Sequence, residues 1–162
     1  MEKTTITLPS APLWRRVAAM FYDALLLLAL ALLTTGLYLF LLALILGAEE
    51  VKARSAHSGF DPLLASILLF VLFGFFAKFW TVSGQTLGMQ VWRVRVQNPD
   101  GSMIRLNQCL LRFMIGMVSL GLGGLGFWWM LVDKDKKTWH DRYSMSNVVL
   151  LPPKPKNSSK VK

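Results

Sequence analysis

Cysteine is nearly missing from this 162-residue chain, and acid is scarce. The single cysteine, Cys109, cannot close a disulfide within the chain or build a thiolate metal cluster, so a small packing residue is expected there. Asp and Glu number 9 against 18 Lys and Arg, which gives a formal net charge of +9. Charged residues of both signs make up only 17% of the chain, against about 25% in a typical soluble domain. Enzyme signatures are also missing. There is no G-x-S-x-G and no H-E-x-x-H. Gly84-Gln85-Thr86-Leu87-Gly88 lacks the G-K-[ST] ending of a phosphate loop and reads as a tight turn. His57 stands alone in a polar stretch, and His140 beside Asp141 does not by itself make a dyad. No catalytic residue, cofactor or metal is expected.

What the chain has is apolar length: 54% of it is apolar or aromatic. A disordered chain cannot carry that much Leu and Phe. The basic residues flank apolar runs instead of covering a soluble face, so no nucleic-acid partner is expected. Residues 24–48 hold no charge. As a helix they span about 37 Å, more than the roughly 30 Å hydrocarbon core. That is too long for the core of a signal peptide. A retained transmembrane helix starting near Arg15 is expected. A second run begins at Pro62, after Asp61, and reaches Val82, with Lys78 able to snorkel and Trp80 suited to an interface. A third, residues 113–132, contains Gly116, Gly121, Gly123, Gly124 and Gly126. It is either one glycine-rich crossing or a helical hairpin broken near residues 120–126.

Charge separates these two arrangements. A single crossing divides the basic residues 8 to 10 across the bilayer, whereas a fold-back puts 16 on one side and leaves Lys52 and Arg54 on the other. The positive-inside rule favours the fold-back. Both termini are therefore expected in the cytoplasm, with a short outer loop over residues 49–61. Between runs two and three, Trp92, Val94 and Val96 alternate with Arg93 and Arg95, the period of a half-buried strand over residues 91–96. Asn98-Pro99-Asp100-Gly101 signals a turn. Residues 103–106 are expected to return as a second strand. Residues 148–151 are a third β-prone run that could join them, since two strands alone are marginal.

Two acids stand out. Asp23 lies about 9 Å inside the hydrocarbon if that begins near Val17, so it should face protein or water and have a partner. Arg16, seven residues earlier, returns to nearly the same helix face and is the first candidate; Lys78 and Arg112 are the others. Ala18 and Ala19 leave room for another helix. Asp141, in Trp139-His140-Asp141-Arg142, comes back to the side of Arg16 if the third run folds back.

Arg16-Val17-Ala18-Ala19-Met20-Phe21-Tyr22-Asp23 resembles the opening signature of RDD family membrane proteins, named for one Arg and two Asp. Ser83-Gly84-Gln85-Thr86-Leu87-Gly88 followed by Val94-Arg95-Val96 resembles the central motif, and Trp139-His140-Asp141-Arg142 the closing one. The resemblance covers residues 12–151. Met89 stands where many members carry Lys, and Ser144-Met145-Ser146-Asn147 replaces a more usual small-residue turn. The resemblance implies a multi-pass prokaryotic membrane protein of undefined general activity, with transport, and for some members cation/proton exchange, suggested. It also implies that Arg16, Asp23 and Asp141 are the signature residues.

The expected fold is all-α and membrane-embedded: two full transmembrane helices plus a glycine-broken hairpin or third span, with a small cytoplasmic β-hairpin. Residues 1–14 form a cytoplasmic segment, 15–151 the membrane domain, and 152–162 a basic disordered tail. The expected location is the cell (inner) membrane. Expected partners are the lipid bilayer, a small cation or proton, and further copies of the chain, because two spans and a hairpin offer few walls for a pathway. The expected activity is small-cation or solute transport. The alternative is a non-enzymatic scaffold or accessory subunit.

Overall fold

The computed structural model describes residues 8–57 and 60–153. Helix α1, Leu13–Leu46, starts directly after Pro12 and stops at Gly47, whose φ of 89° most side chains cannot adopt. Its 34 residues measure about 51 Å. Its buried residues are Arg16, Ala19 and Asp23, one stripe at helical spacing in the first three turns. Beyond them the helix exposes apolar side chains such as Leu32, Leu33, Leu44 and Ile45, the surface a lipid-facing helix presents. Helix α2, Ala48–His57, occupies most of the expected outer loop, so that connection is helical.

Helix α3, Pro62–Val82, has 21 residues, about 31 Å, a close match to the hydrocarbon core. Asp61 caps it by accepting from the amides of Leu63 and Leu64 at 2.9 and 3.2 Å. The Tyr38 hydroxyl donates to the same carboxylate at 2.6 Å. That ties the later part of α1 to the start of α3 and sets the two helices in opposite directions.

After α3 the chain makes the short helix α4, Leu87–Val91, then strand β1, Val94–Gln97. The strand expected over residues 91–96 thus begins later: Val91 ends α4, and Arg93 turns the chain with φ 57°. The alternation holds over the first three residues of β1, where Val94 and Val96 are buried and Arg95 is less so, and ends at Gln97, which is buried too. The turn at Asn98–Gly101 forms, with Gly101 N–H donating to Asn98 O at 2.9 Å. The return strand at residues 103–106 does not. Ile104 drops into the core, and Leu106 already opens helix α5, Leu106–Gly121. The free edge of β1 pairs instead with β2, Asn147–Leu150, antiparallel, with Val96 opposite Val148. The expected local β-hairpin is therefore a two-stranded sheet closed across fifty residues of sequence. Val148 and Val149 suit it because branched side chains pack well on a pleated surface. A bridge from Ser10 to Val149 adds the N-terminal segment, with Ala11 N–H to Val148 O at 2.9 Å.

The third run breaks where its glycines cluster. Helix α6, Leu125–Val132, leaves α5 at 96° across Leu122, Gly123 and Gly124. Both glycines have positive φ, 68° and 81°, which an L side chain adopts only at a cost. Helix α7, Trp139–Tyr143, follows and packs back on α5. Gln108, in the first turn of α5, donates to Ser144 O beyond α7 at 2.9 Å. The bent pair thus leaves from and returns to one end of the molecule. At that end Ala11, Ala19, Met89, Val94, Val96, Ile104, Cys109 and Val148 form the buried core. The tail expected to be disordered falls outside the described residues from position 154 on.

Candidate functional site

The polar centre sits against this core. Asp141 is fully buried and occupies the third position of α7. Thr138 caps that helix: its amide donates to Asp141 Oδ2 at 3.2 Å, while its hydroxyl accepts from the Asp141 amide at 3.4 Å. The cap aims the carboxylate at two guanidiniums. Arg16 Nη1 donates to Oδ2 at 2.5 Å, and Arg112 Nη1 lies 2.6 Å from Oδ1. Burial by itself raises the Asp141 carboxyl, but Arg112 and then Arg16 outweigh it and hold it well below the usual carboxylate range.

Arg16 uses its whole fork. Besides Asp141 it donates to Ala11 O at 2.9 Å, Ser10 Oγ at 3.2 Å and Val148 O at 3.2 Å. Arg112 donates to Ser146 Oγ at 2.8 Å, and Ser144 Oγ lies 2.7 Å from that oxygen. The closing segment that departs from the family pattern is therefore built into the clamp, with Ser144 and Ser146 both buried.

Asp23 stands apart from this pair. Its Oδ2 accepts from the Thr86 hydroxyl, and its Oδ1 accepts from the Gly88 amide at 2.9 Å. The expected Arg16–Asp23 ion pair is replaced by Arg16–Asp141. Seven residues put Arg16 and Asp23 on one stripe but about 10 Å apart along the axis, whereas Asp141 and three other acceptors meet the guanidinium directly. Neither Lys78 nor Arg112 takes the place of Arg16 on Asp23. Thr86 also caps α4 through Met89 N–H at 3.2 Å. Gly88 lets α4 lie on α1: a Cβ there would meet Ala19 O at 2.3 Å and the Asp23 carboxylate at 2.9 Å. The small Ala19 was a visible signal for this approach. Thr86 and Gly88 lay in the central motif without any sign in the sequence that they face Asp23.

Arg16, Asp23, Thr86, Arg112 and His140 all line one partly open cavity of about 170 Å³. Its other walls are mostly apolar, from Met20, Phe76, Met89, Phe113, Met117, Leu120 and Phe127. Arg112 lies 5.4 Å from the Trp80 ring centroid, a cation–π distance. Burial, with Arg112 beside it, pushes His140 down to about 3 against the opposing pull of Asp141, so the imidazole is neutral near pH 7. The arrangement can hold a small ligand between an apolar surface and a charged one. Trp128 and Trp129, expected at an interface or a packing surface, are exposed on α6. Among the described residues no group of three His, Cys, Asp or Glu could hold a metal ion.

A model of the RDD family matches residues 10–145, most of the chain. Neither a curated protein nor a solved structure matches it.

Proposed function

The chain belongs to the RDD family, its apolar helices point to a membrane protein, and from that premise we propose that it moves a small solute across the bilayer together with a proton held at Asp23. One observation carries this reading. Of the two buried signature carboxylates, Asp141 is locked by two guanidiniums, whereas Asp23 lines the cavity and is held there by neutral donors alone. A carboxylate without a permanent counter-charge in a low-dielectric site is the one that can exchange a proton during a cycle. Arg16 and Asp141 then serve as the fixed frame. The bare cation expected from the sequence would share the cavity with Arg16 and Arg112, and like charges repel strongly where water is excluded. A neutral or anionic solute fits the cavity better.

In this reading the protein is not an enzyme. It sits in the cell membrane with both termini in the cytoplasm, which agrees with the hydrogen bonds between Pro9–Ala11 and β2. Several copies would supply the walls that two spans and a bent pair do not. The test is proton movement in proteoliposomes of the purified full chain, read with an enclosed pH dye under imposed gradients of monovalent cations and of small organic solutes. Solute-dependent proton movement that Asp23→Asn abolishes, in a variant that elutes and melts like the parent, is the expected result. Proton movement unchanged by Asp23→Asn, or none with any solute, overturns it. That outcome favours an accessory-subunit role, for which the fully satisfied Arg16 network joining α1, α7, β2 and the N-terminal segment speaks.

A further inference from the structure

Buried N–H groups find acceptors in nearly all native structures, and one left without an acceptor calls for a reason. Two such groups belong to residues that line the cavity. Arg112 Nε and Trp80 Nε1 are buried and have no hydrogen-bond partner among the described residues. Charge points the same way. The clamp sets two guanidiniums, Arg16 and Arg112, against the one carboxylate of Asp141, which leaves it one positive charge in excess. Asp23 balances that excess only while it is ionised. Phe76, Phe113 and Phe127 line the same cavity, Phe76 beside Trp80 and Phe127 beside His140. At Gly116 an added Cβ would meet nothing within 4 Å. The cavity, about 170 Å³, is in the range that admits a benzene-sized body, as an engineered cavity of about 150 Å³ does.

We propose that the cavity binds a small monocarboxylate, its apolar body against the phenylalanines and its carboxylate against Arg112 and Trp80. This rests on the solute-transport reading and names the solute class. A monoanion and the Asp23 carboxylate compete for the same excess positive charge, so binding strengthens when that carboxylate is removed. The other groups lining the cavity with Asp23 are Arg16 and Arg112, with Asp141 ion-paired between them, and His140, kept neutral by burial, while Thr86 and Gly88 present neutral donors.

The probe is benzoate, titrated calorimetrically into the full chain in lipid nanodiscs, with benzyl alcohol and benzylammonium as the neutral and cationic analogues. Benzoate should bind about tenfold or more tighter than benzyl alcohol, the margin of a hydrogen-bonded charge, and benzylammonium should not bind. Gly116→Leu, which projects into the cavity one turn along α5 from Arg112, should weaken benzoate by about tenfold or more with an unchanged melting temperature. Trp80→Phe should weaken it less. Asp23→Asn, which removes the competing carboxylate charge, should bind benzoate more tightly than the parent at neutral pH. Decanoate in place of benzoate separates a soluble acid held within the cavity from a bilayer fatty acid whose tail extends into lipid. Equal affinity for benzoate and benzyl alcohol, no saturable binding, or an unaffected Gly116→Leu variant overturns the proposal. Asp23-dependent proton movement without benzoate binding would sink this proposal and leave the transport reading standing. Benzoate binding without any transport would do the reverse.

Discussion

A carboxylate between two buried guanidiniums is secure only while it keeps its charge. Replacing Asp141 by Asn leaves Arg16 and Arg112 facing each other with no counter-charge, and breaking such a buried pair costs about 3–5 kcal/mol. The Asp141→Asn variant should accumulate poorly or melt well below the parent in detergent. Its pH behaviour should also differ. The folded carboxyl titrates below the unfolded value of about 3.9, so its stabilisation is complete above that pH and declines as pH falls toward the folded value. A series of melting temperatures from neutral pH downward should show the gap between parent and variant narrowing only below about pH 4. A gap that closes near pH 6, where a histidine normally titrates, would contradict the assignment, because burial keeps His140 neutral there. Sequence alone singled out Arg16, Asp23 and Asp141. It could not rank their pairings, since helical spacing reports which face a residue shares and says nothing about a partner 125 positions away.

At the scale of elements, the short α4 lies close on α1 at Gly88. Gly88 touches Ala19 and donates to Asp23, and a methyl group there would collide with both. Gly88→Ala should destabilise the fold by about 1–3 kcal/mol through overpacking, whereas Leu87→Ala next to it, half exposed, should stay within about 0.5 kcal/mol. Thermal unfolding of the two variants side by side checks this. If both melt like the parent, the close packing of α4 on α1 is not needed for stability. The long helices α1 and α3 were legible from apolar length, and the break between α5 and α6 from clustered glycines, because those signals are local. The sheet was half legible. Alternation marked β1 and branched residues marked β2, but the turn after β1 suggested a neighbouring strand. The core position of Ile104 and the start of α5 at Leu106 sent the chain elsewhere. The helix α2 carried too little apolar pattern to be distinguished from a loop.

For the whole molecule, the bent pair decides which parts share a side. The turn at residues 98–102 precedes α5, the segment at 133–137 follows α6, and the contact of Gln108 with Ser144 brings their neighbourhoods together. Ser102→Cys and Lys136→Cys should therefore be labelled by an impermeant maleimide from the same side of the membrane, and Glu50→Cys from the opposite side. Sealed vesicles of both orientations provide the measurement, with the buried Cys109 as an internal blank. Labelling of Ser102→Cys and Lys136→Cys from opposite sides would mean that the third apolar run crosses.

The clamp also imposes an order of events during synthesis. Arg16 leaves the ribosome 125 residues ahead of Asp141, and at about 5–20 residues per second the interval is on the order of ten seconds. Throughout that time the guanidinium has neither its carboxylate nor the β2 carbonyl it later binds. The first helix end therefore carries an unpaired guanidinium until the last strand is made. A chain cut short before residue 141 lacks the one carboxylate that joins the two guanidiniums, and its first and fifth helices keep their positive charges without the partner that closes them together.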